Sequence, residues 1–270
     1  MCCNTAEGGR RCPSHSNAAK IAARNTQRRE DYQAGKKTFS RIQELAESGI
    51  PAIAGKNFET SYFNSTRGAY DPELFVPVRN ADNSWRDELD EEAKQLMNNS
   101  MIHSKPEDGG MWSAPASSTT ENGIRTAWTD WASDQGFSRV QEEVYEIKAN
   151  KHAVIIACDS VDDLKAVSEK YPGWPVNWEA MAEDGISGLH LTEKGVQEAK
   201  GCFDHKVGGF GMWDIPSTLW FSKDAFVIGK SVKTDTTYTN HNEDRYDIYD
   251  SEEGDGEYAL DLNDMSWMYE

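Results

Sequence analysis

Positive charge is scarce in this 270-residue chain: 28 Lys and Arg stand against 46 Asp and Glu, a formal net charge of -18. So acidic a surface repels a phosphate backbone, which excludes a general nucleic-acid binder. Long apolar runs are missing too. No stretch reaches the roughly 18 residues that a membrane helix needs, and the mean hydropathy is -0.74. The opening Met1-Cys2-Cys3-Asn4 lacks the basic-then-apolar pattern of a secretory signal, so the expectation is a cytoplasmic protein without membrane contact. Cysteines number five. That odd count offers no disulfide framework and suits a reducing compartment. Aromatic mass, by contrast, is plentiful. Nine Trp, ten Tyr and nine Phe are more than a disordered chain carries.

The standard chemical signatures are absent as well. The sequence holds no Gly-x-x-x-x-Gly-Lys-Ser/Thr loop, no Gly-x-Gly-x-x-Gly, no His-Glu-x-x-His and no Gly-x-Ser-x-Gly, so the usual phosphate cradles, zinc helices and nucleophile elbows are not available. What is present is an uneven division of charge. Residues 1–48 carry nine Lys/Arg and five Asp/Glu, net +4, whereas residues 234–270 carry twelve acids and one base, net -11. The middle accounts for the remaining -11. A basic head could touch nucleic acid locally or an acidic partner, although such faces are often only solvated; an acidic tail could mimic nucleic acid.

Four zones follow. Residues 1–15 are Cys- and His-rich: Cys3, Cys12 and His15, with Cys2 adjacent, are residue types that zinc prefers. Two readings stand, a closed zinc site or a chain end whose thiols stay reduced. Residues 16–98 form a basic helical region and an irregular linker. Ser16 or Asn17 caps a helix, Gly35 is expected to break it, and Phe39, Ile42 and Leu45 stripe a second helix. Residues 49–84, rich in Gly, Pro, Asn and Asp, read as irregular, and Ser84 caps a helix to about Asn98.

Residues 99–232 read as an α+β domain. Expected strands are Met101–Ser104, the segment after Gly109-Gly110, Val144–Lys148, Ala153–Ala157, Ile186–Leu191, Ser217–Phe221 and Ala225–Ile228. Expected helices are Ile124–Ser133, Val161–Tyr171 capped by Ser160, Trp178–Glu183 and Thr192–Lys200. Cys158, ending an apolar run, reads as a packed thiol. Residues 233–270 are the acidic tail.

One constellation stands out. His103 and Ser104 share a short segment, Trp112 and Ser113 follow a Gly-Gly hinge, and Glu193 comes after Gly188-Leu189-His190-Leu191-Thr192. In that order the chain resembles the ADP-ribosyltransferase fold, with a basic or His position on one strand, an aromatic or Ser position on the next and an acid on a later one. The strings Gly109–Pro115 and Trp128-Thr129-Asp130-Trp131, and Gly8–His15 followed by Ala22–Asn25, are similar to uncharacterised proteins of actinobacteria and their phages. A phage anti-CRISPR ADP-ribosyltransferase is similar in layout.

The resemblance implies split sheets with flanking helices and a site that cleaves the nicotinamide–ribose bond of NAD. That step builds positive charge on the ribose. Glu193 would stabilise that charge as the catalytic acid, Trp112 would stack on nicotinamide, and His103, Ser104 and Ser113 would hydrogen-bond the cofactor. His103 would share in catalysis. Pro216 stands where the resemblance places a further acid.

Two function classes result: a phage- or mobile-element-encoded NAD-dependent transferase acting on a host defence macromolecule in the host cytoplasm, or a non-enzymatic acidic inhibitor seated in a basic groove of a nucleic-acid-handling protein. A phage structural protein is a third expectation. In either of the first two, the partner is a protein.

Overall fold

The computed structural model describes residues 13–64, 75–80, 109–135, 143–173, 175–202, 204 and 207–235. Contacts divide the chain into residues 1–236 and residues 237–270. The second unit lies outside the described residues, as does the expected helix at 84–98. The following concerns the first unit alone.

A helix α1 (Pro13–Glu47) leads into β1 (Ala52–Ala54) and β2 (Ser61–Asn64). Next come β3 (Met111–Thr120), β4 (Gly123–Thr126), α2 (Ala127–Asp134), β5 (Glu143–Ala149) and β6 (Val154–Cys158). The remaining elements are α3 (Val161–Lys170), α4 (Trp178–Glu183), β7 (Gly188–Leu191), α5 (Glu193–Lys200), β8 (Ser217–Trp220) and β9 (Phe226–Lys233). The architecture is mixed helix and sheet. No helix among the described residues is long and apolar enough to cross a membrane.

Several of these elements follow from local chemistry. The apolar run Val154-Ile155-Ile156 has no polar side to show, and all three residues are buried, as suits a strand covered on both faces. Ser160 accepts from Asp163 N and caps α3. Asn177 accepts from Ala180 N and caps α4. Thr192 accepts from Gly195 N and caps α5. Each satisfies a donor that the first helical turn leaves open.

Other expectations are corrected. Gly35 does not break the helix: α1 runs unbroken from Pro13 to Glu47. An interior glycine costs about 1 kcal/mol, and docking to the body around it offsets that. Thr38 Oγ1 donates to the His152 carbonyl at 2.9 Å, Lys151 Nζ meets Asp31 at 2.8 Å, and Gly35 faces the His152 ring. Arg41 then pairs with Glu44 at 2.7 Å and with Asp184, and Leu45 is fully buried.

The supposedly irregular stretch after residue 49 contributes β1 and β2, so the sheet takes two strands from upstream of residue 99. The expected helix at Ile124–Ser133 is two elements. Its first residues form β4, and α2 starts only after Thr126, whose side chain makes a reciprocal capping box with Thr129.

The strands pair in the order β1-β6-β7-β8-β3-β2-β5-β9, with β4 against β3. Among the described strands, β6 and β7 form the one parallel pair, and α3 and α4 lie in the connection between them. The third strand serves several partners: Met111–Ser113 pair with β8, Ala114 and Pro115 pair with β2, and Ala116–Thr120 pair with β4. An isolated parallel bridge from Ile124 to Thr234, the residue after β9, brings β4 beside the end of β9.

Two cores result. The larger buries Leu164, Val167, Trp178, Met181, Val196 and Phe210 from the helical side against Leu189, Leu191 and Leu219 of the sheet. The smaller lies on the opposite face and buries Met111, Ile147, Ile155, Trp220 and Phe226.

Candidate functional site

The point where β3 leaves β8 for β2 holds Trp112 and Ser113. Successive residues of a strand face opposite sides, and the two cores divide accordingly. Trp112 packs on the helical core, its ring edge-on to Trp213 with centroids 4.7 Å apart. Ser113 faces the other side and is buried. Its Oγ accepts from Trp220 Nε1 at 2.8 Å and lies 2.8 Å from Ser61 Oγ.

Pairing extends this into a row of polar side chains across the sheet. Ser113 is in register with Thr218, and Thr218 with His190. Thr218 is fully buried, and its Oγ1 lies 2.9 Å from His190 Nδ1. The His190 ring packs edge-on against Phe58 at 5.2 Å between centroids. Burial pulls the imidazole from its ordinary value of 6.5 down to about 4, despite a hydrogen bond to the Ser217 backbone. The row His190–Thr218–Ser113–Ser61 is therefore neutral near pH 7. It consists of hydroxyls and an uncharged imidazole beside the rings of Phe58 and Trp220. Such groups hydrogen-bond well in a low dielectric but bring no charge to a reacting centre.

Glu193 stands apart from this row. The expected strand ends at Leu191, and Glu193 is the first residue of α5, exposed, accepting from Gln197 Nε2 at 2.9 Å. Leu189 is in register with Leu219, and Leu219 with Trp112. Glu193 therefore lies two strands across from Trp112 and beyond the end of β7. An acid at that place matches the helix dipole.

Of the other residues singled out by sequence, His103, Ser104, Cys3 and Cys12 lie outside the described residues. His15 falls in the first turn of α1, and its side chain lies outside what is described. Among the described residues, no group of three or more His, Cys, Asp or Glu is placed to hold a metal ion. Cys158 is buried, and burial pushes its thiol well above the ordinary value, as fits a packed thiol.

NAD is the group the resemblance implies, and the described part of the expected site does not fit it. Trp112 and Ser113 face opposite sides of one strand, and both are engaged with internal partners. Sequence reasoning missed Ser61, Thr218 and His190 as members of one row. The alternation Leu189-His190-Leu191 was the available signal, since it turns His190 away from its apolar neighbours. Comparison with known proteins gives no match: no family model, no curated protein and no solved structure matches this chain.

Proposed function

We propose that this chain acts by binding, as an acidic protein that occupies a basic surface of a nucleic-acid-handling partner. One observation carries the reading. Residues 161–200, which supply the helices over the larger core, hold eight acids and four lysines, and every one of those lysines is already paired. Lys165 meets Asp204 at 3.3 Å, Lys170 meets Glu44 at 3.8 Å, Lys194 meets Asp159 at 3.3 Å and Lys200 meets Asp214 at 3.8 Å. Asp162, Glu179, Glu183 and Glu193 are exposed and in no ion pair among the described residues. The lysine charge is spent locally, and the carboxylates set the outward field. Such a field speeds encounter with a basic groove and fades with salt.

The test captures a nucleic-acid-binding protein from lysate of the organism carrying the gene and measures its release by duplex DNA and by salt. The expected result is release by both. Indifference to duplex DNA, or unchanged binding by an Asp162→Lys, Glu179→Lys, Glu183→Lys variant, overturns the reading.

A second reading, an NAD-dependent ADP-ribosyltransferase-like protein acting on a host defence macromolecule through residues other than the Trp112 and Ser113 pair, is favoured by β3, whose successive segments pair with β8, β2 and β4 at the junction where the polar row lies. Its test is transfer of label from NAD to host macromolecules. Equal transfer by wild type and Glu193→Gln would remove Glu193 from the chemistry, and no transfer by wild type would end the reading.

A further inference from the structure

Among the described residues, the first stretch of α1 with described side chains has no partner in the rest of the body. Every residue from Ala19 to Glu30 is exposed, and the helix meets the body only from about Asp31 onward. A polar helix of this kind is marginal in water on its own. It also carries three of the five large apolar side chains most exposed on the described protein: Ile21 at 58%, Tyr32 at 67% and Phe39 at 63%.

Their spacing aligns them. Ile21 and Phe39 are 18 residues apart, which is about five turns at 3.6 residues each, so they share one azimuth. Tyr32 follows Ile21 by 11 residues, about 20° off that line. The three form a narrow seam about 27 Å long at 1.5 Å per residue. Arg28 lies in the seam between Ile21 and Tyr32, and Arg24, Arg29 and Lys36 sit three or four residues from a seam position, on its flanks. None of these four cations is in an ion pair among the described residues. Of the acids of this stretch, one is turned away from the seam and the other, on its flank, is paired. Glu30 is nine residues from Ile21 and so on the opposite side, and Asp31 is held by Lys151 and Gln27.

We infer that this seam is a docking surface for an acidic, apolar-striped helix of a partner protein. Three large apolar side chains spread over five turns are too narrow a face for a lipid surface, which a surface helix meets with a broad apolar side. Phosphate contacts make no use of Ile21, Tyr32 and Phe39. A second copy of α1 would bring Arg28, Arg29 and Lys36 against a like set of cations. A partner helix with apolar residues at heptad spacing and Glu on its flanks satisfies both the seam and its rim. The surface is separate from the carboxylates over the larger core, so the two proposals stand or fall independently.

The experiment uses the full chain and four probes: a designed helical peptide with a Leu seam and Glu flanks, the same peptide with Lys flanks, phosphatidylserine vesicles, and a DNA duplex. Expected is binding of the Glu-flanked peptide at least tenfold tighter than the Lys-flanked one, weakening between 50 and 200 mM salt. The variant Arg28→Glu, Arg29→Glu, Lys36→Glu should reverse the preference. Ile21→Asp with Phe39→Asp should lose at least tenfold, with an unchanged thermal melt, because neither side chain packs on the body. Equal binding of both peptides, no binding of either, or tighter binding of vesicles or duplex overturns the inference.

Discussion

Replacing Ser113 by Ala separates a packing role for this residue from a cofactor role. Ser113 Oγ is the acceptor for Trp220 Nε1 and the partner of Ser61 Oγ, each at 2.8 Å, and all three residues are buried. Removing the oxygen leaves an indole N–H and a hydroxyl without partners inside the smaller core. A stranded buried polar group costs about 1 to 3 kcal/mol, so Ser113→Ala should lose about 3 kcal/mol in total. For a body of this size that corresponds to a fall in Tm of about 6 to 12 °C.

Denaturant unfolding followed by tryptophan fluorescence measures the loss directly. A double-mutant cycle adds a sharper check. Ser61→Ala alone leaves the Trp220 bond intact, and combined with Ser113→Ala it removes one of the stranded groups. The two changes should therefore cost about 1 kcal/mol less together than the sum of the singles. A loss under about 0.5 kcal/mol for Ser113→Ala, or strict additivity, would refute the hydrogen-bond argument. Lower NAD affinity at unchanged stability would instead return Ser113 to a cofactor role.

The half-buried His190 makes a prediction of pH dependence. Its folded value is lowered to about 4 from 6.5, so between those values the unfolded chain takes up a proton that the folded one refuses. That stabilisation is complete above about pH 6.5 and is lost as the pH falls toward 4, about 3 kcal/mol across the window. His190→Asn should flatten that part of the stability–pH curve, and parallel curves for the two proteins would count against it. Thr126→Ala removes the side-chain half of the capping box on α2, the acceptor for Thr129 N, while the Thr126 backbone N–H keeps its bond to Thr129 Oγ1; it should cost about 1 kcal/mol by urea unfolding. With DTNB (5,5′-dithiobis-(2-nitrobenzoic acid)), Cys202, which is partly exposed, should react in the native protein, whereas Cys158 should react only after unfolding; fast native labelling of both would show that the core opens. Arg41→Met should release the docked half of α1, read as faster amide exchange between Thr38 and Leu45, because Arg41 joins the helix to Asp184 and Tyr171.

Elements with local signals were the ones legible in advance. The Val154–Cys158 strand announced itself by apolar content, α3 by Ser160 at its start, and α4 and α5 by their helical pattern, to which the structure adds Asn177 and Thr192 as caps. The strands β1 and β2 carried no such signal. They are three and four residues long and owe their conformation to pairing with β6, β3 and β5. The continuity of α1 through Gly35 has the same origin, since contacts with Lys151 and His152, far along the chain, outweigh a local preference to stop.

The candidate site divides in the same way. The sequence by itself determined the charge balance, the absence of standard motifs, the burial of Cys158 and the start of the helix capped by Ser160, because all of these depend on residues a few positions apart. Tertiary structure decided which side chains meet. Trp112 and Ser113 are neighbours in sequence and fall into different cores, while Ser113 and Ser61, 52 residues apart, share a hydrogen bond. A one-residue change of register would exchange those faces. The position of Glu193 was likewise a matter of where β7 ends: with Thr192 as the cap, the acid begins a helix and points its charge outward. The seam on α1 depends on the helix running unbroken through Gly35 and on Ile21, Tyr32 and Phe39 staying exposed, both of which only the fold showed.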